Sequence, residues 1–159
     1  MRTGGWAIWR PRAHLDEAGR LFRDLGNLGA RARVLYSRAS LALDQGDIAA
    51  ARHDLAQALA DLSDQSRERE DIWRLVERVG TLACRQGTPQ EAARLYATAV
   101  AHRDAAILEP AERALRARDL EWLYITLGEA DFADAASAGE TLSQHEAIAL
   151  LRWVLREQR

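Results

Sequence analysis

His145-Glu146 opens like the H-E-x-x-H pattern, in which two histidines one helical turn apart clamp zinc beside a carboxylate base. Ala149 stands where the second histidine is required, so one helix face cannot hold the metal. His14, His53 and His102 are scattered and have no cysteine or carboxylate at ligand spacing; they read as surface or hydrogen-bonded side chains. There is no G-x-S-x-G elbow, and Gly4-Gly5 is not a phosphate loop. Glu68, Glu70 and Asp71 form a charge run that reads as solvated rather than as an acid–base pair. The lone cysteine, Cys84, lies beside Leu82 and Ala83 in a helical pattern and reads as a buried or groove-facing thiol. These residues point to no catalytic site, no metal and no cofactor, and the chain is expected not to be an enzyme.

Composition narrows the classes further. All 22 basic residues are arginine, a bias that GC-rich coding explains, and the absence of lysine removes the P-loop lysine and any Schiff-base lysine. Residues 1–33 hold seven Arg against three acids, whereas residues 129–146 hold five acids and no Arg. Four net charges over 33 residues is a weak footprint for nucleic acid, so no direct nucleic-acid binding is expected of this chain. No apolar run approaches the length of a membrane span, and Trp6 to Trp9 is too short for the apolar core of a signal peptide. The expected setting is cytoplasmic, with no membrane partner.

Alanine and leucine dominate the chain, prolines number only three, and apolar residues recur at helical spacing throughout. Leu15, Ala18, Phe22 and Leu25 mark a first helix closed by Gly26 and Gly29. A second runs from about Ala30 to Asp44 and stops at Gly46; a third, capped by Asp47, follows Ile48, Ala51, Leu55, Ala58 and Leu62. After the polar stretch Ser63 to Asp71, a fourth passes through Ile72, Val76, Val79 and Ala83. Thr88-Pro89-Gln90-Glu91 reads as a capping box for a fifth, Pro110 opens a sixth that ends at Gly128, and Phe132 lies in a short seventh ended by Gly139. Ser143-Gln144-His145-Glu146 caps an eighth through Ile148, Leu151 and Leu155. No strand-like alternation competes with this reading.

Two of these segments repeat. Gly46-Asp47 and Gly87-Thr88 are each followed, at matching offsets, by a small, a bulky and a small residue: Ala51, Leu55 and Ala58, then Ala92, Tyr96 and Ala99. Seven residues before each glycine lies another small residue, Ala39 and then Gly80. Small residues there let antiparallel helices approach, and the bulky one fills the space between pairs. Gly80→Leu is therefore expected to overpack the contact and Gly80→Ala to be tolerated.

These residues resemble tetratricopeptide repeats, one half unit and two full ones, within residues 1–104. The aromatic residues usual in the first helix are replaced by Leu35 and Ala42, then Val76 and Ala83. The order Pro110, Leu127-Gly128-Glu129, Phe132, Ala135-Ala136, Gly139, Leu142-Ser143 and Glu146-Ala147 resembles the C-terminal sensor region of large bacterial transcriptional regulators, of the LuxR-type or ATPase-linked kind. The resemblance implies an all-α antiparallel helix-pair solenoid, with residues 105–159 as capping helices of the same domain. It also implies a protein–protein interaction or sensor module of a bacterial transcriptional or signalling regulator. A structural or self-associating scaffold without ligand is the alternative. The first helix lacks its own pair partner, so either Trp6, Ile8 and Trp9 cover its open face or the chain is the tail of a longer polypeptide, the tail being expected.

Aligning the first helices of the two units places Arg33, Tyr36 and Ser40 beside Arg74, Glu77 and Thr81 on one inner surface. Family members that grip a C-terminal carboxylate carry Lys and Asn on this surface, and this sequence does not. Arg33 and Arg74 are instead placed to pair with an acidic protein or peptide, with Tyr36 as aromatic anchor.

Overall fold

Helix boundaries follow from glycine and a few side-chain caps. The computed structural model describes residues 10–63 and 69–156, and all regular structure among them is helical. In chain order the helices are α1 (Pro11–Asp24), α2 (Leu28–Asp44), α3 (Ile48–Ser63), α4 (Arg69–Gln86), α5 (Pro89–His102), a short 3-10 turn (Ala105–Ile107), α6 (Pro110–Leu127), α7 (Glu129–Glu140) and α8 (Gln144–Leu155).

Three helices end in the same way. Gly26, Gly46 and Gly87 adopt positive φ, and the residue after each donates its N–H to a carbonyl five residues back. The bonds run from Asn27 to Phe22 (2.9 Å), from Asp47 to Ala42 (2.8 Å) and from Thr88 to Ala83 (3.0 Å). A glycine is needed because only it enters the left-handed region without steric cost. The next helix then starts at once: Asn27 accepts from the Ala30 N–H and Asp47 from the Ala50 N–H, both at 3.0 Å. The Ser143 box forms in both directions, with Ser143 N–H to Glu146 at 2.8 Å and Glu146 N–H to Ser143 Oγ at 3.2 Å.

Three local expectations change. Thr88 makes no capping bond; its hydroxyl donates to the Ala83 carbonyl at 3.3 Å, turned toward the helix before it. Gly29 and Gly139 lie inside α2 and α7 rather than stopping helices. The proposed covering role of Trp6, Ile8 and Trp9 falls outside the described residues.

Packing is most extensive between α2 and α3, followed equally by α4 with α5 and α5 with α7, and α3 also meets α4. The small and bulky residues of the repeated pattern lie at these contacts, and Ala51, Leu55, Ala58, Ala92, Tyr96 and Ala99 are fully buried. The C-terminal helices share this core: α7 lies against α5, α8 meets α3, α4 and α5, and Ala147, Leu151 and Val154 are fully buried. Gln86 ties α8 down by donating to the Val154 carbonyl at 3.3 Å. None of the helices is long and apolar enough to cross a membrane, among the residues described.

Glycines 80 and 139 are set by close approach. A Cβ on Gly80 would sit 3.2 Å from the Tyr96 ring, which is buried and hydrogen-bonded at its hydroxyl and so has no room to retreat. A Cβ on Gly139 would collide with the Arg94 carbonyl and lie 2.9 Å from Ala97 Cβ, where Thr98 Oγ1 also donates to the Gly139 carbonyl at 2.8 Å. Gly80→Ala is thus expected to destabilise, contrary to the reading from helix propensity alone. In urea unfolding, Gly139→Ala is expected to cost about 3 kcal/mol and Gly80→Ala about 1 kcal/mol. An unchanged midpoint for Gly139→Ala would contradict the α5–α7 contact.

Candidate functional site

Two helices turn equivalent faces toward a common groove. On α2, Ser37, Ser40 and Asp44 recur at helical spacing; on α6, Ala111, Leu115 and Arg118 do the same. Arg78 of α4 and Glu112 of α6 lie between them, Pro11 and Leu15 of α1 close one side, and the groove measures about 700 Å³. That is within the range of ~300–1,000 Å³ typical of ligand clefts. A deeper recess of about 20 Å³, bounded by Leu43, Leu55, Thr81 and Arg85, holds space for little more than a water molecule.

The structure sorts the six residues expected to line an inner surface. Ser40 lines the groove, and Thr81 borders only the deeper recess, where it is buried. Arg33 is exposed and Arg74 is partly exposed, but neither lines the groove. Tyr36 cannot serve as an exposed anchor: it is 3% exposed, and its hydroxyl donates to the Asp71 carbonyl at 3.1 Å. Glu77 is also buried, inside an ion cluster. The physical reason is the third helix. A register of two units compares α2 and α4 alone, whereas α6 packs on α4 and covers position 77, and Tyr36 lies on the α2 flank that meets the start of α4. The open face therefore falls at Ser37, Ser40 and Asp44 on α2 and at Arg78 on α4.

Beneath this face lies a set of ion pairs joining α4, the residue after α5, and α6. Arg116 grips Glu77 with its fork, Nε at 2.6 Å and Nη2 at 3.0 Å, while Arg103 bonds the same carboxylate from the other side. Arg103 also donates from Nε to Glu70 at 2.8 Å. Burial works against the Arg103 charge, but its bond to Glu70 and the nearby Glu77 outweigh it and raise the pKa. Glu112 Oε1 faces three guanidinium groups, Arg78 at 3.2 Å, Arg103 at 3.7 Å and Arg74 at 3.8 Å, while its other oxygen accepts the Glu109 N–H at 3.2 Å. Glu70 and Asp71 are not a solvated run: Glu70 pairs with Arg103 and Asp71 is buried. His102, next to Arg103, stacks on Trp73 with ring centroids 4.0 Å apart.

A second polar set sits further along α6. The Tyr96 hydroxyl donates to Asp119 at 2.5 Å and lies 2.8 Å from the Thr81 hydroxyl. Burial first, and then the Asp119 charge, push the Tyr96 pKa well up. The same two causes push the Cys84 thiol to about 12, so at neutral pH it is protonated and a poor nucleophile. Among the described residues, no three His, Cys, Asp or Glu side chains gather to hold a metal ion.

No family model matches the chain, and no curated protein or solved structure is significantly similar to it.

Replacing Glu77 by Gln keeps its shape but leaves Arg103 and Arg116 without their shared counter-charge. Such uncompensated buried charge is expected to cost about 3–5 kcal/mol in urea unfolding. Iodoacetamide should label Cys84 slowly at pH 8 in the native chain and rapidly in urea. Fast native labelling would contradict its burial.

Proposed function

We propose that the chain is a tetratricopeptide-like partner-binding module of a bacterial transcriptional or signalling regulator. In this reading α2 with α3 and α4 with α5 are two helix pairs, α1 is the second helix of an incomplete pair, and α6 begins the next turn of the array. α7 and α8 then close it by folding back over α5 and its neighbours. The identical glycine endings of α2 and α4, the first helices of the two pairs, support the repeat, as does the complete burial of both small-bulky-small sets. The regulator assignment rests on the residue order from Pro110 to Ala147, and a cytoplasmic setting goes with it.

The observation that carries the binding role is the open groove of about 700 Å³ between α2 and α6. Its floor and rim carry Arg78, Arg85 and Arg118 against Asp44 and the paired Glu112. An extended peptide with acidic side chains fits that balance, its apolar groups resting on Leu15, Leu41 and Leu115. Catalysis, DNA recognition and membrane anchoring form no part of this role.

A second reading, self-association, draws on exposed apolar side chains, Leu21 on α1 with Leu25 just after it, and Trp122 and Ile125 on α6. A concentration-dependent mass in sedimentation, without peptide binding, would favour it.

The test of the groove is titration of a fluorescein-labelled hexaglutamate peptide by anisotropy. Arg85→Glu combined with Arg118→Glu is expected to weaken binding at least tenfold, about 1.4 kcal/mol, with helicity retained. Arg152→Glu with Arg156→Glu, on and just after α8, should leave it nearly unchanged. Equal loss from both pairs would mean general electrostatics and would overturn the groove.

A further inference from the structure

The two buried carboxylates of the ion cluster are held very differently. Glu77 receives short, forked bonds from Arg116. Glu112 has one guanidinium N–H within hydrogen-bond distance, from Arg78 at 3.2 Å; Arg103 and Arg74 stand at 3.7 and 3.8 Å, too far to bond. As a result Arg103 Nη2 and Arg74 Nε are buried with no hydrogen-bond partner, although the Arg103 side chain is only 1% exposed. Buried N–H groups of a charged side chain are costly to leave unpaired. Three guanidinium groups thus converge where a carboxylate belongs, and the one that stands there is tethered to the α6 backbone at a distance that leaves Arg103 Nη2 and Arg74 Nε without a partner. The place is reachable, because Arg78 and Glu112 themselves line the groove.

We propose that Arg74, Arg78 and Arg103 form a carboxylate-binding site, that Glu112 is its tethered resident, and that an acidic side chain of a bound peptide displaces it. This rests on the reading of the groove as a peptide site. The exchange keeps the charge of the cluster constant, one carboxylate leaving as another enters. A carboxylate not fixed to α6 reaches the Arg74 and Arg103 N–H groups that Glu112 leaves free, and that difference favours the exchange. Displacing Glu112 also removes its bond to the Glu109 N–H and its ion pairs to Arg74 and Arg78, which hold α6 to α4. Ligand entry therefore loosens α6, and the loosening is the signal. Cys84 reports it, since Asp119 and Arg118 of α6 lie close enough to act on its thiol.

The experiment has two arms. Glu112→Ala empties the site; its melting temperature should fall, and sodium formate should recover most of the loss where sodium chloride at equal ionic strength does not. Wild type should respond to the two salts alike. In the second arm, Glu112→Gln, which keeps the side-chain shape, should bind labelled hexaglutamate about tenfold more tightly than wild type, because the competing resident charge is gone. Peptide bound to wild type should also speed iodoacetamide labelling of Cys84 several-fold. Equal effects of formate and chloride on Glu112→Ala, or no gain in affinity in Glu112→Gln while wild type still binds in the groove, would overturn the resident-carboxylate site and leave the groove standing. Absence of peptide binding to every variant would overturn the groove instead, while formate rescue alone would still establish the carboxylate site. If Glu112→Ala does not fold, the Glu112→Gln affinity decides.

Discussion

The carboxylate of Glu77, buried on α4, takes its ion-pair partners from outside that helix, and this constraint organises the second half of the molecule. Glu77 is answered by Arg103, the first residue beyond α5, and by Arg116 in the middle of α6. Taking these groups out of water costs several kcal/mol per ion and is offset only when the geometry is good and the remaining polar atoms are bonded. The chain between α5 and α6 is therefore not free to choose its path. Arg103 has to turn inward at the end of α5, the 3-10 turn follows at once, and α6 has to present Arg116 toward α4. An apolar contact would tolerate rotation of α6 about its axis; a forked guanidinium–carboxylate pair does not.

This has a consequence for the other face of α6. Its buried side is spent largely on charge: Glu112, Arg116 and Asp119 at helical spacing, with Leu123 completing the row. Of its other apolar residues, Leu120 and Leu127 pack against the core, whereas Leu115, Trp122 and Ile125 are left partly or largely exposed, and Leu115 with Arg118 forms one wall of the groove. The contrast with α7 is instructive. α7 meets α5 through Gly139 against the Arg94 carbonyl and through small side chains on both helices, a contact of close backbone approach that admits no alternative arrangement. One neighbour of α5 is thus locked by shape and the other is held largely by ion pairs. Under the proposed function, binding and rigidity are allotted to different helices.

The number, order and approximate limits of the helices were legible in the sequence because caps and glycine endings are local. Asp47, Ser143 and the glycines at 26, 46, 87 and 128 act within a turn of themselves, so a reader needs no neighbour to interpret them. The groove was less legible. Ser40 lines the groove, but Tyr36, Glu77 and Thr81, expected on the same open surface, are buried beneath α6 and the start of α4. Which side of α4 is open depends on a helix some thirty residues away, and a two-unit register contains no information about it. One signal was present in the residues. Glu112, Arg116, Asp119 and Leu123 fall on a single helix face, and a charged row that alternates in sign and ends in leucine is better explained by a buried partner than by solvent. Read together with Glu77, which sits among Val76, Val79 and Leu75, it pointed to an ion pair across the helices rather than to a ligand site. Glycine gave a second misreading: at 139 a residue taken as a helix stop serves close packing, a role that only the opposing backbone reveals.

The arginine-only composition gains a physical meaning in this setting, whatever produced it. Glu77 and Glu112 are approached by four guanidinium groups within a small volume, and two of those groups, Arg103 and Arg116, each use more than one nitrogen. A planar fork spreads its charge and reaches two acceptors at once; a lysine ammonium is a compact, strongly hydrated charge that loses more on burial and cannot bridge Glu70 and Glu77 in the plane that Arg103 does. The forks also explain why the cluster has spare donors. Each guanidinium carries five N–H groups, more than the neighbouring carboxylates can accept, so packing several together around few acceptors leaves N–H groups unused. In a core of lysines the surplus would be absent. Here it is concentrated beside Glu112, at the one point where the ion cluster meets the groove.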